Sequence, residues 1–232
     1  FNPLPIRQDG PMPHLSLTSR HDGFALPAFY APAQGQRLGG VVVIQEIFGV
    51  TDHIEDVARQ FAAAGYEAIA PALFARIDPA FHAEHDAEGF AKGRAAVMAT
   101  PFDQVVGDVQ ACLDALGSPA FVTGFCYGGA VSWLAAARCE GIAGASGFYG
   151  RLIATQMLDL APRVPTILHY GRTDPHIPMS EVDAVAARHP AVPIHLYEAG
   201  HGFCRAGSSD YDATAHRLAM ATTLAHFKAC GA

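Results

Sequence analysis

The most constraining stretch of this chain runs from Phe121 to Ala137. Phe121-Val122-Thr123 is a short apolar strand, Gly124-Phe125-Cys126-Tyr127-Gly128-Gly129 is a glycine-rich turn, and Ala130-Val131-Ser132-Trp133-Leu134-Ala135-Ala136-Ala137 is a helix former. A turn this tight leaves no room for a Cβ at position 124 or 128, because it would clash with the neighbouring strand or helix. Cys126, between the two glycines, is then held in a strained conformation. Its sulfur points at the N-terminus of the helix, where free N–H groups and the dipole favour a thiolate. The alternative is a buried cysteine in a glycine-rich turn, since so short a pattern also arises by accident.

The rest of the chain supplies a sheet for that turn. Val41-Val42-Val43-Ile44 is a β-branched run of the kind buried on both faces of a sheet. Before it, residues 14–20 and 24–30 alternate apolar and polar around His21-Asp22-Gly23 and predict a hairpin. After it, Thr51 or Asp52 is placed to cap a helix in which Ile54, Val57, Ala58, Phe61 and Ala62 share one face. Gly65 closes that helix and a strand follows over 66–70. A second amphipathic helix is predicted over 102–116. Strands at 142–148, 165–170 and 193–197 alternate with helices near 180–188 and 210–228. This alternation predicts one α/β domain over residues 1–232, with a mostly parallel central sheet and helices on both faces. Residues 1–13 are proline-rich and predict an extended N-terminal arm. Residues 72–100, with broken helical character over 84–98, predict an irregular excursion over the sheet edge or a partial lid.

Half of the residues are hydrophobic and 16% are charged, enough for a large core. A formal charge of −7 and a pI near 5.9 argue against nucleic acid or an anionic membrane as partner. No apolar run approaches the roughly 20 residues of a spanning helix. The chain starts Phe1-Asn2-Pro3-Leu4-Pro5, with neither a Met nor a basic-then-apolar signal pattern, and is read as trimmed at its start. Cysteines 112, 126, 139, 204 and 230 are odd in number and scattered, which predicts free thiols and a reducing, cytoplasmic compartment. The 12 histidines include no HxH or HExxH pattern, so no metal site is expected.

Three further segments fall at predicted strand ends, where open α/β sheets place their chemistry. Gly171-Arg172-Thr173-Asp174 follows one strand, Glu198-Ala199-Gly200-His201-Gly202-Phe203 another, and Gln45-Glu46-Ile47-Phe48-Gly49 a third. Asp174 in isolation reads equally as an Asx-turn residue. Flanking glycines make His201 an exposed, rotatable base. Glu46 at the end of a buried strand needs a partner, whether in a salt bridge, a helix cap or a functional site. The order nucleophile 126, acid 174, base 201 is that of the α/β-hydrolases.

Together these four segments resemble the dienelactone hydrolase (carboxymethylenebutenolidase) family, and the similarity runs from the first buried strand to the closing helix. The resemblance implies an α/β-hydrolase fold, no cofactor, and a role in aromatic-compound degradation. It implies a Cys126–His201–Asp174 triad acting on a small, possibly anionic, ester or lactone through a thioester. The backbone N–H groups of Ile47 and Tyr127 would form an oxyanion hole, and Glu46 would contact the resting thiol. A carboxylate there opposes thiolate formation, so Glu46 would serve as a substrate-linked switch. Of the family's two carboxylate-binding arginines, Arg205 matches one. The region of the other offers His82, His85, Lys92 and Arg94, none convincingly placed, and Arg76 is not counted. Arg151 could reach the pocket from another side, and Phe48, Tyr127 and Tyr149 are expected to line it. Cys204 is either a redox partner of Cys126 or a buried spectator. Acyl transfer, or a non-catalytic binding or redox-sensing role, are the competing readings, and a monomer or small homo-oligomer is expected.

Overall fold

The computed structural model describes residues 14–232; the expected N-terminal arm lies outside the described residues. Eight strands form one sheet in the order β1-β2-β4-β3-β5-β6-β7-β8. They are β1 (His14–Thr18), β2 (Ala25–Ala31), β3 (Gly39–Ile44), β4 (Tyr66–Pro71), β5 (Ala120–Phe125), β6 (Ile142–Phe148), β7 (Thr166–Gly171) and β8 (Ile194–Tyr197). The hairpin strand β1 pairs antiparallel with β2, and β2 with β4; every other pair is parallel. This is a mostly parallel α/β sheet, as the alternation of elements predicts.

Strand β3 shows why the sheet needs helices on both sides. Val41 and Val43 enter one apolar cluster while Val42 and Ile44 enter the other, because successive side chains point to opposite faces. On the first face lie α1 (Asp52–Ala63), α6 (Met179–Arg188) and α7 (Ala213–Ala229); on the second lies α3 (Phe102–Leu116), with Val105, Val109, Cys112, Leu113 and Leu116 buried. Helix α4 (Tyr127–Arg138) contributes to both clusters. Phe227 docks α7 by stacking on Phe121 at 4.5 Å and lying against Phe61 and Tyr66. Truncating that ring to Ala would cost about 3–5 kcal/mol.

The structure departs from the sequence expectations in a few places. Thr51 is the N-cap of α1 but makes no side-chain cap bond, and its hydroxyl is unpartnered among the described residues. A short helix, α5 (Leu152–Gln156), follows β6. The 72–100 segment, expected to be irregular, is helical in its second half. Gln45 ties it down, its Oε1 accepting from Leu73 N at 3.0 Å. The segment then forms α2 (Ala87–Ala99), capped by Asp86, which accepts from Gly89 N at 2.8 Å. Gly93 lets this helix rest on the Ile47 carbonyl, in a gap that a Cβ would fill. Helix α2 thereby becomes a wall over the ends of β3 and β5. Arg76 pairs with buried Asp108 and with Asp22, a structural role consistent with leaving it out of any substrate clamp.

Candidate active site

Strand β5 ends in the tight turn. Cys126 has φ 55° and ψ −113°, a strained backbone for a non-glycine residue. A Cβ on Gly124 would meet the Gly128 carbonyl, and one on Gly128 would meet the Ile44 carbonyl, which is the steric reason for both glycines. Cys126 N donates to Phe148 O at 3.0 Å, fixing the turn against β6. Cys126 is itself the N-cap of α4, so its sulfur lies at the positive end of a helix.

The next two strand ends bring the acid and the base. After β7, Asp174 makes an Asx turn and also reaches His201. Its Oδ1 accepts from His176 N at 2.7 Å and Ile177 N at 3.2 Å, while its Oδ2 lies 2.7 Å from His201 Nδ1. The carboxylate accepts, so Nδ1 carries the proton and Nε2 is the ring nitrogen left for the cavity. Burial pushes the imidazole pKa down, but the Cys126 sulfur and the Asp174 carboxylate outweigh it and raise the pKa to about 10.

Glu46 follows β3 and is 1% exposed. Its Oε2 is 3.4 Å from His85 Nε2 and 3.9 Å from Arg205 Nη1. Burial would raise its pKa, yet the His85 hydrogen bond and the neighbouring His53 and Arg205 hold it below the usual value. Among the described residues no hydrogen bond joins Glu46 to Cys126. The N–H groups of Ile47 and Tyr127 flank the same region, and neither has a hydrogen-bond acceptor among the described residues. Such free, paired donors are what a developing oxyanion requires.

These groups open on a cavity of about 690 Å3, whose lining includes Glu46, Cys126, His201 and Arg205. Phe48, Tyr127 and Arg151 also line it; Arg151 is held there by a two-pronged pairing with Glu181 at 2.9 and 3.0 Å. Tyr149 does not line it: the ring is fully buried and backs His201, with centroids 4.9 Å apart. Cys204 is buried, and burial together with the Glu46 charge pushes its thiol pKa well up. Arg94 was not legible as a pocket residue because the irregular stretch before α2 hides its register. Helical spacing puts Phe90, Arg94, Val97 and Met98 on one side, where all four line the cavity, and Arg94 pairs with no described acid. Lys92 points elsewhere, to the His82 carbonyl and the Phe81 ring. The partners of Glu46 carry no local sequence signal: His85 lies 39 residues away, and His53 sits in the first turn of α1.

A strained cysteine at a strand-to-helix elbow, with an acid and a base on the following strand ends, defines an α/β-hydrolase. Sequence comparison makes this specific. The profile of the dienelactone hydrolase family matches residues 26–231, and the chain belongs to that family, a family of ester and lactone hydrolases. A carboxymethylenebutenolidase from Pseudomonas sp. (strain P51) is 30% identical over 232 residues, covering 92% of this chain and 94% of its own. A Salmonella typhimurium protein provisionally named carboxymethylenebutenolidase is 35% identical over 214 residues, 81% of this chain and 76% of its own. A crystal structure from Klebsiella pneumoniae, provisionally named a dienelactone hydrolase, superposes with a TM-score of 0.80 at 30% identity, covering 93% of this chain and 97% of that one.

Proposed function

We propose that this chain cleaves a small ester or lactone of the dienelactone type with Cys126 as nucleophile. The observation that carries the reading is the 2.7 Å Asp174–His201 contact, with the same ring interacting with the sulfur on the elbow. The sulfur attacks the carbonyl carbon, and the oxygen that becomes negative is received by the N–H groups of Ile47 and Tyr127. Each donor is worth about 3 kcal/mol in the transition state. His201 then protonates the departing alkoxide, leaving a thioester on Cys126. For a lactone the departing group stays tethered to the acyl chain. His201 next takes a proton from water, which attacks the thioester and restores the thiol and imidazole. Asp174 fixes the tautomer and stabilises the charged ring throughout. No cofactor enters any step.

Arg205 supplies positive charge for an acidic substrate group, Arg151 sits further out at the rim, and Phe48 offers an apolar face. Glu46 disfavours the thiolate only in a conformation in which its carboxylate reaches the sulfur. The five unpaired cysteines fit a reducing, cytoplasmic setting. The test is hydrolysis of a p-nitrophenyl ester and of a carboxylate-bearing dienelactone by wild type and Cys126→Ser. Turnover of both, cut at least about a hundredfold in the variant, is expected. Undiminished turnover in the variant would refute the nucleophile.

A further inference from the structure

The geometry points to His85 as a positioning residue that holds Glu46 away from Cys126, so that the thiol is free to pair with His201 before any substrate binds. This inference rests on the proposed role of Cys126 and extends it to the state of the free protein. A carboxylate as buried as Glu46 must find a donor, because a buried charge left unpaired is strongly disfavoured. Two kinds of donor share its cavity: the imidazole and guanidinium groups, and the Cys126 thiol. Groups from three elements face Glu46. His53 comes from α1, His85 from the segment leading into α2, and Arg205 from the loop after β8. His85 makes the hydrogen bond, at 3.4 Å, while Arg205 is more distant at 3.9 Å. The His85 ring packs against Phe48 in a tilted contact, with centroids 4.0 Å apart and planes 43° from parallel. With Glu46 engaged there, the sulfur has His201 as its partner.

The functional consequence is substrate range. A sulfur already paired with His201 needs no substrate carboxylate to displace Glu46, so uncharged esters and lactones are turned over. An acidic substituent then improves KM through Arg205 and leaves kcat nearly unchanged. Removing His85 lets the Glu46 carboxylate accept a hydrogen bond from the thiol, and this bond together with like-charge repulsion disfavours the thiolate, so the sulfur keeps its own proton.

The test is the rate at which iodoacetamide, an uncharged probe, alkylates Cys126 in the substrate-free protein, followed by peptide mass. In this reaction the thiolate displaces iodide and forms a thioether. His85→Ala is expected to slow alkylation about tenfold and to lower kcat for a neutral ester in parallel, and adding Glu46→Gln to it should restore the alkylation rate. A purely structural loss would not be restored by the second substitution. A change of less than about threefold in His85→Ala, or a loss that Glu46→Gln does not restore, overturns the proposal. Ester hydrolysis surviving in Cys126→Ser would instead refute the nucleophile, while the alkylation rates would still decide what His85 does to the thiol.

Discussion

Two imidazoles, one half-buried at the cavity and one fully buried inside the sheet, are both disfavoured as cations by burial and end in opposite states. His169 sits in the middle of β7, 0% exposed, and its partners are neutral hydroxyls. Tyr197 OH lies 2.9 Å from Nδ1 and Thr223 Oγ1 3.1 Å from Nε2, with Ser146 2.9 Å beyond Thr223. Burial therefore wins, helped by the nearby His195 and His226, and the pKa of His169 falls well below its ordinary value. His201, its side chain 19% exposed, is also desolvated but faces a carboxylate and a sulfur, and its pKa is raised. The charge of the partners sets the direction in which each pKa moves.

The largest expected effect on this contrast comes from neutralising the charged partner. Asp174→Asn should lower kcat/KM about a thousandfold or more, because the amide can donate to Nδ1 and impose the wrong tautomer. Steady-state hydrolysis checks this, and a loss below about tenfold would sever His201 from its carboxylate. On the other side, His169→Ala should cost about 3 kcal/mol of stability by leaving a void and orphaned hydroxyls. Where the variant stays folded, its kcat should remain close to wild type. Denaturant melts and turnover measured together separate the two outcomes.

The contrast also sets a sign for pH. His169 stays neutral when folded but accepts a proton when unfolded, near pH 6.5. Its contribution is present above that pH and is lost as the pH falls, at a slope of up to about 1.4 kcal/mol per unit. His201 runs the other way: its contribution is present below about 6.5 and is lost as pH rises through the raised folded pKa. Melting temperatures between about pH 7 and 5 should therefore fall less steeply in a His169 variant than in wild type. In Cys126→Ser the His201 pKa should drop back toward its ordinary value, read by NMR titration of the imidazole, because the sulfur that raises it is gone. The smallest effect is at the rim. Glu181→Ala frees Arg151 but breaks only a half-exposed pair, worth under about 1 kcal/mol, and should shift KM for an acidic substrate by about twofold at most.

Much of the reactive half of this comparison was legible in the sequence, and little of the structural half was. Gly124, Gly128 and the order 126, 174, 201 are local signals, each carried by a few adjacent residues at a strand end. Helix α3 spans the very residues its apolar stripe marks. The His169 network joins side chains from β6, β7, β8 and α7, so no local pattern reports it. Helix α2 was blurred for a different reason. It docks through Gly93 onto a backbone carbonyl and turns Phe90, Arg94 and Met98 toward the cavity, so its apolar residues never form a core stripe. The coupling of His85 to Glu46 depends on that docking and was hidden with it.

The most direct test of the account is to trap the intermediate. An activated ester with a slowly hydrolysed acyl group is mixed with the protein, quenched in acid and mapped by peptide mass. One acyl group on Cys126, absent in Cys126→Ser and accumulating in His201→Ala only at a greatly reduced rate, is the predicted result. An acyl group on another residue, or turnover with no covalent species at any time, would contradict it.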